Sequence, residues 1–88
     1  IIAANEPEIE KAADELRLGN GKVEAVQADL ATIDGNKKLY QAIGGRPVAA
    51  LLANAGRGLG KGFLDQDFND IRYVIDTNIT GTLYLIHK

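Results

Sequence analysis

Two spacings of apolar residues organise this chain. Val48–Ala53 is an unbroken apolar run that stops at Asn54-Ala55-Gly56. A half-buried strand alternates apolar and polar positions, whereas an unbroken short run fits a strand covered on both faces, as in a parallel sheet with helices above and below. Pro47 and the glycines from Gly56 onward set its limits. Ile1–Ala4 reads as the end of another buried strand. Val23–Ala28 reads as a third strand, less buried because Glu24 and Gln27 interrupt it. Between them the spacing turns helical. Ile9, Ala12, Ala13 and Leu16 fall at i, i+3, i+4 and i+7, one face of a helix. Asn5 is its expected N-cap, with Glu8 in capping-box position. Gly19-Asn20-Gly21 ends it.

A second helix is expected from Thr32, its cap, through Ile33, Leu39, Tyr40 and Ile43 to Gly44-Gly45, with Gly35 and Asn36 weakening it. Gly56–Gly62 is a glycine-rich loop, mobile on composition. From about Asp67 to Lys88 a long helical pattern runs through Phe68, Ile71, Ile75, Ile79 and Ile86, capped by Asp65 or Asp67. Asn78 and Gly81 lie inside it, where each costs helix stability. The order is strand, helix, strand, helix, strand, helix. That alternation argues for a parallel α/β sheet with right-handed crossovers.

Composition narrows the chemistry. The net charge of −2 gives no basic footprint for nucleic acid or an anionic membrane. No apolar run approaches the length of a membrane span. Without cysteine there is neither disulfide nor thiolate chemistry, which fits a reducing compartment such as the cytoplasm. His87, the one histidine, makes no zinc site alone, so no metal is expected. At 88 residues the chain amounts to one small domain at most. It begins within an expected strand and ends within an expected helix, so it reads as a piece of something longer.

Two glycine patterns in the loop are decoys. A Walker loop before Gly60-Lys61 would need glycine where Ala55 stands and a hydroxyl where Gly62 stands. A dinucleotide fingerprint from Gly56 and Gly58 would need glycine at Lys61. Other positions carry more. In open α/β sheets, ligands bind outside the carboxyl ends of the strands. Asn54, Ala55 and Gly56 sit at such an end, where small residues let a ligand approach the backbone. Asp29 ends another strand; its carboxylate either accepts from a ligand amino group or caps the turn. Asn78, inside a helix and three residues before Gly81, suggests a local bend or a released helix carbonyl. Tyr84 and Lys88 have Tyr-x-x-x-Lys spacing, and packing explains that pair better than catalysis.

Asp29-Leu30, Asn54-Ala55-Gly56 and Asn78-Ile79-Thr80-Gly81 together resemble the short-chain dehydrogenase/reductase family in identity, order and separation. The resemblance covers essentially the whole chain but only the middle of that family's domain. It implies a Rossmann-like, doubly wound parallel sheet, in part: strands two to four with their helices. Residues 1–88 would be a fragment of a single NAD(P)-binding domain. Asp29 would bond the adenine of NAD or NADP, with the Leu30 N–H beside it. Asn54, Ala55 and Gly56 would line the adenine ribose, although Ala53 replaces the first Asn of the usual motif. Asn78 matches the catalytic Asn, whose backbone carbonyl holds a water in a proton relay.

The family's glycine-rich pyrophosphate turn would precede Ile1, and its Ser and Tyr-x-x-x-Lys would follow Lys88. Tyr84 lies about 240° around the helix from Asn78 and should not inherit the catalytic role. Cofactor choice is read at Ala4 and Asn5, which carry neither the acidic signal for NAD nor the arginine for NADP. Glu6 and Glu8 nearby disfavour an added phosphate. The implied protein is an oxidoreductase moving hydride between nicotinamide and a carbonyl or alcohol substrate, homo-oligomeric when complete. The alternative is a non-catalytic nucleotide-binding or regulatory module of the same fold. A flavodoxin-like domain rests on alternation alone. In the doubly wound order the first strand lies between the second and fourth. A strand-wide slot is therefore expected between Ile1–Ala4 and Val48–Ala53, without direct pairing of the two.

Overall fold

The computed structural model describes residues 1–88. Strand β1 (Ile2–Ala4) leads through helix α1 (Ile9–Leu16) to strand β2 (Ala25–Gln27), and the two strands pair in parallel. The register sets Ile2 against Ala25, Ala3 against Val26 and Ala4 against Gln27. The Ile2 N–H donates to Glu24 O and the Ala28 N–H to Ala4 O, both at 2.9 Å, so the ladder extends one bond beyond each end. The apolar stripe of α1 covers both strands and buries Ala13 completely. Arg17 fixes the return from α1: its Nε donates to Val23 O at 2.9 Å while its Nη1 pairs with Asp14 at 2.8 Å.

The expected capping box at Asn5 does not form. Helix α1 starts at Ile9, after Glu8, with no side-chain cap. Residues 5–8 make a turn instead, and the Asn5 carbonyl accepts from Gln27 Nε2 at 2.9 Å. Tying Asn5 to the end of β2 takes precedence over starting a helix there.

Helix α2 (Ile33–Ile43) follows the expected signals. The Thr32 hydroxyl accepts from the Gly35 N–H at 2.9 Å, and Gly44 closes the helix in the left-handed region at φ 63°. The two residues expected to weaken α2 are structural. A Cβ on Gly35 would lie 1.9 Å from the Asp29 carbonyl oxygen, so only glycine lets the helix come this close to the end of β2. Asn36 is buried, and its Nδ2 donates at 2.8 Å to both Leu30 O and Thr32 O. Local propensity is given up here for two satisfied carbonyls.

After a 3-10 turn at Phe63–Asp65, helix α3 (Phe68–Ile75) is capped by Asp67, which accepts from the Asn69 N–H at 2.8 Å. The helix does not break at Asn78. It widens into a π-helical segment at Asp76–Gly81 and resumes as helix α4 (Thr82–His87). The irregularity expected at Asn78 therefore takes the form of a π turn, a winding that recurs at functional sites. Gly81 is buried where this segment passes β2: a Cβ there would fall 1.8 Å from the Leu30 carbonyl oxygen.

Val48–Ala53 forms no strand ladder, and the sheet has two strands rather than three. A strand needs a hydrogen-bonded neighbour, and this run has none. A cavity of about 400 Å³ is lined by Ile1 and Ala3 together with Val48, Ala49, Ala50 and Leu51, and Leu39 and Leu85 contribute to its walls. The run and β1 do not pair directly. Few residues are fully buried, among them Ala13, Val26 and Ala28 beside the sheet, while Leu51, Leu52, Leu83 and Ile86 remain exposed. No helix is long and apolar enough to cross a membrane.

Candidate functional site

The carboxyl ends of β1 and β2, and the end of the Val48–Ala53 run, open onto one cavity of about 610 Å³. Asn5, Asp29, Leu30, Asn54, Ala55 and Gly56 all line it. They come from three separate stretches of chain, so their convergence is a tertiary property and not one of spacing. The Asn54 N–H donates to Leu52 O at 3.0 Å, a tight turn that ends the apolar run and directs the following residues toward the cavity. The backbone at Gly56 is approachable: an added Cβ would meet nothing nearer than Asn78 Oδ1 at 3.7 Å.

Of its two readings, Asp29 shows the turn cap. Its Oδ1 accepts from the Ala31 N–H at 3.0 Å, the turn-capping bond. The same oxygen accepts from the Tyr73 hydroxyl at 2.8 Å. No hydrogen bond is made to Oδ2, which leaves that oxygen for a donor from a ligand.

Asn78 does not line the cavity; its neighbour Thr77 does. The Asn78 side chain instead holds the loop. Its Oδ1 accepts from the Arg57 N–H and its Nδ2 donates to the Arg57 carbonyl, both at 2.8 Å. A primary amide is the side-chain group that offers acceptor and donor side by side, as a neighbouring strand would. The loop expected to be mobile is thus tied down at its start. Lys88 Nζ stands 5.6 Å from the Tyr84 ring centroid, a packing contact.

Sequence reasoning missed Arg57 and Tyr73. The Arg57 guanidinium lies 4.4 Å from the centroid of the Tyr73 ring, and both residues line the cavity with Glu6. Arg57 makes no ion pair, whereas Arg17 and Arg46 do. Helical spacing placed Tyr73 beside the stripe of Ile71 and Ile75 and gave no reason to look across to Asp29, 44 residues away.

Burial pushes the Tyr73 phenol above its ordinary value of 10.0, and the hydrogen bond and charge of Asp29 add to the rise. Arg57 pulls it down and Glu6 pushes it up. The phenol therefore stays protonated, a donor, throughout the neutral range. A raised folded-state pKa favours the protonated form in the fold, so its stabilisation is complete below the unfolded value and lost as pH rises through the folded one. Denaturation midpoints of the parent and of Tyr73→Phe are expected to differ at neutral pH and to converge in the alkaline range above 10. A difference that stays constant into that range would show that the hydroxyl proton is not involved.

The cavity suits a ligand that is flat at one end and carries amino and hydroxyl donors. Asp29 Oδ2 and Glu6 accept, the Asn54–Gly56 backbone allows close approach, and Arg57 supplies a positive, planar group. Among curated proteins and among solved structures, none matches the chain. The family model for short chain dehydrogenase matches residues 1–88. With its whole length matched, this chain belongs to the short-chain dehydrogenase family of oxidoreductases.

Proposed function

We propose that this chain supplies the adenosine-binding part of an NAD- or NADP-dependent oxidoreductase acting on a small carbonyl or alcohol substrate. The observation that carries the reading is the convergence of Asn5, Asp29, Leu30, Asn54, Ala55 and Gly56 on one cavity at the strand ends. Asp29 accepts the amino group of the base, with the Leu30 N–H beside it. Asn54, Ala55 and Gly56 bring main chain against the ribose. Ala4 and Asn5 stand where the 2′ position of that ribose would be read, and the nearby Glu6 carboxylate favours a hydroxyl over a phosphate there. When bound, the cofactor supplies the hydride chemistry; the protein positions it and manages protons. Asn78 carries the catalytic proposal, as a residue that orders the proton path. A complete protein acting in the cytoplasm as a homo-oligomer is consistent with the cysteine-free composition and the exposed apolar residues of α4.

Titration with NADH and with NADPH, followed by nucleotide fluorescence, tests the reading. Asp29→Ala is expected to weaken binding by roughly 1 kcal/mol or more, about a fivefold change at least, through loss of a charge-assisted bond. Equal affinity of parent and variant would remove Asp29 from the site. Residues 1–88 alone are expected to bind without turnover under either reading; a Ser and a Tyr-x-x-x-Lys in the complete protein would decide for an enzyme, and their absence for a nucleotide-binding module.

A further inference from the structure

The cavity has a wall that the adenosine reading does not use. Tyr73 reaches from α3 to Asp29 and takes Oδ1 at 2.8 Å, while the Ala31 N–H takes the same oxygen at 3.0 Å. Two donors on one oxygen fix the carboxylate's rotation and make Oδ2 the acceptor left for a ligand. Arg57 covers the Tyr73 ring with its guanidinium at 4.4 Å. A guanidinium is planar, and Tyr73 holds this one by a cation–π contact at the cavity edge. The Arg57 backbone is itself held at both polar groups by Asn78. An arginine clamped at its main chain, held against the Tyr73 ring and free of any carboxylate is a planar cation kept in place at the edge of a cavity.

We propose that Arg57 and Tyr73 form a two-layer wall that selects the base of the bound nucleotide: Arg57 stacks on the purine ring, and Tyr73 positions Asp29 to read its amino group. This rests on the reading of the cavity as an adenosine site and adds what makes that site prefer adenine. A carboxylate held in one rotation accepts from an exocyclic amino group and repels a carbonyl at the same position. A hypoxanthine base presents that carbonyl. Stacking on a guanidinium is indifferent to the base, because every base has a π face. The two residues therefore divide the work. Arg57 supplies affinity for purines in general, and Tyr73, a positioning residue acting through Asp29, supplies the preference for adenine.

Equilibrium titration of the protein with AMP and with IMP separates the two roles. The parent is expected to prefer AMP. Tyr73→Phe keeps the ring under Arg57 and removes the hydroxyl; it should reduce the AMP-over-IMP preference by roughly three- to tenfold. Loss of affinity for AMP and IMP alike, with the preference intact, would show a merely structural tyrosine and overturn that half. Arg57→Ala should weaken AMP and IMP together by roughly tenfold. Arg57→Lys, which keeps the charge and loses the plane, should behave as Arg57→Ala does; binding equal to the parent's would overturn stacking. Arg57 is exposed on a loop, so its variants test the wall without disturbing the fold. A parent that binds neither AMP nor NADH sinks the adenosine reading itself, and this inference with it. A parent that binds both while the Tyr73 and Arg57 variants match it sinks this inference alone.

Discussion

Gly81→Ala is expected to destabilise the protein by about 3 kcal/mol or more, although alanine is the better helix former by roughly 1 kcal/mol. The reason is contact with main chain. The new Cβ would lie 1.8 Å from Leu30 O, 2.9 Å from Asp76 O and 3.0 Å from the Leu30 carbonyl carbon. None of these atoms belongs to a flexible side chain that could swing away. Relief requires moving the π segment off the end of β2, which also pulls Thr77 and Tyr73 from the cavity. A chain with so few fully buried residues has little stability to lose. Urea denaturation measures it: the midpoint should fall sharply for Gly81→Ala. Gly58→Ala and Gly60→Ala, where an added Cβ meets nothing within 4 Å, should leave it nearly unchanged. A Gly81→Ala midpoint equal to the parent's would mean that the π segment does not pack against the Leu30 carbonyl as described.

On the proposed function, Asn78→Ala should lower turnover of the complete protein by roughly 10²–10⁴-fold, the range attributed to a positioned proton-transfer group. Cofactor affinity should change far less. Asn78 lies within the π segment, where the helix winding departs from its regular bonding. Its side chain also makes both hydrogen bonds to the Arg57 backbone, so the same residue joins the helix to the loop at the cavity edge. Asn78→Asp retains the acceptor for the Arg57 N–H and loses the donor to the Arg57 carbonyl. It should therefore hold the loop partly and fall between parent and alanine. Pre-steady-state rates with a parallel cofactor titration decide the matter. Turnover unchanged beside much weaker cofactor binding would assign Asn78 to the binding wall and not to proton transfer.

The strands of β1 and β2, their parallel pairing across α1 and the helical course of residues 68–87 were legible because each depends on local periodicity or on short connections. The caps at Thr32 and Asp67 were legible for the same reason: a cap acts two or three residues away. Asp29 and Asn54–Gly56 drew attention by their place at strand ends and Asn5 and Leu30 only through resemblance, while nothing in their spacing forces them onto one cavity. Asn5 shows how local signals fail. Its capping-box pattern is real, but a bond from Gln27 on the neighbouring strand determines its place. Gly35 and Asn36 show the opposite failure. Both count against a helix by propensity, and both are required by the carbonyls at the end of β2, which propensity cannot see. Tyr73 and Arg57 escaped because an aromatic in a helical stripe and an arginine in a glycine-rich loop carry no signal until the loop and helix meet.

The cavity lies on a seam between two parts of the chain that fold on different terms. One wall comes from Ala3–Glu6 at the end of β1 and from Asp29–Ala31 after β2, in the part of the chain that closes over short connections, with Asn36 reaching Leu30 only six residues back. The other comes from the Gly56–Gly58 loop and α3, tied to the first by distant contacts such as Tyr73 to Asp29 and by the packing of α2 against α4. Local closure is entropically cheap and distant closure is not. The second wall is therefore the part that opens first when the native state fluctuates. On the proposed function, a nucleotide seated between the walls would touch both, and its binding energy would go into holding the seam shut. Occupancy of the site and docking of α3 and α4 would become one equilibrium, and the ligand would act as a fastener for the half of the structure that the chain itself holds least firmly.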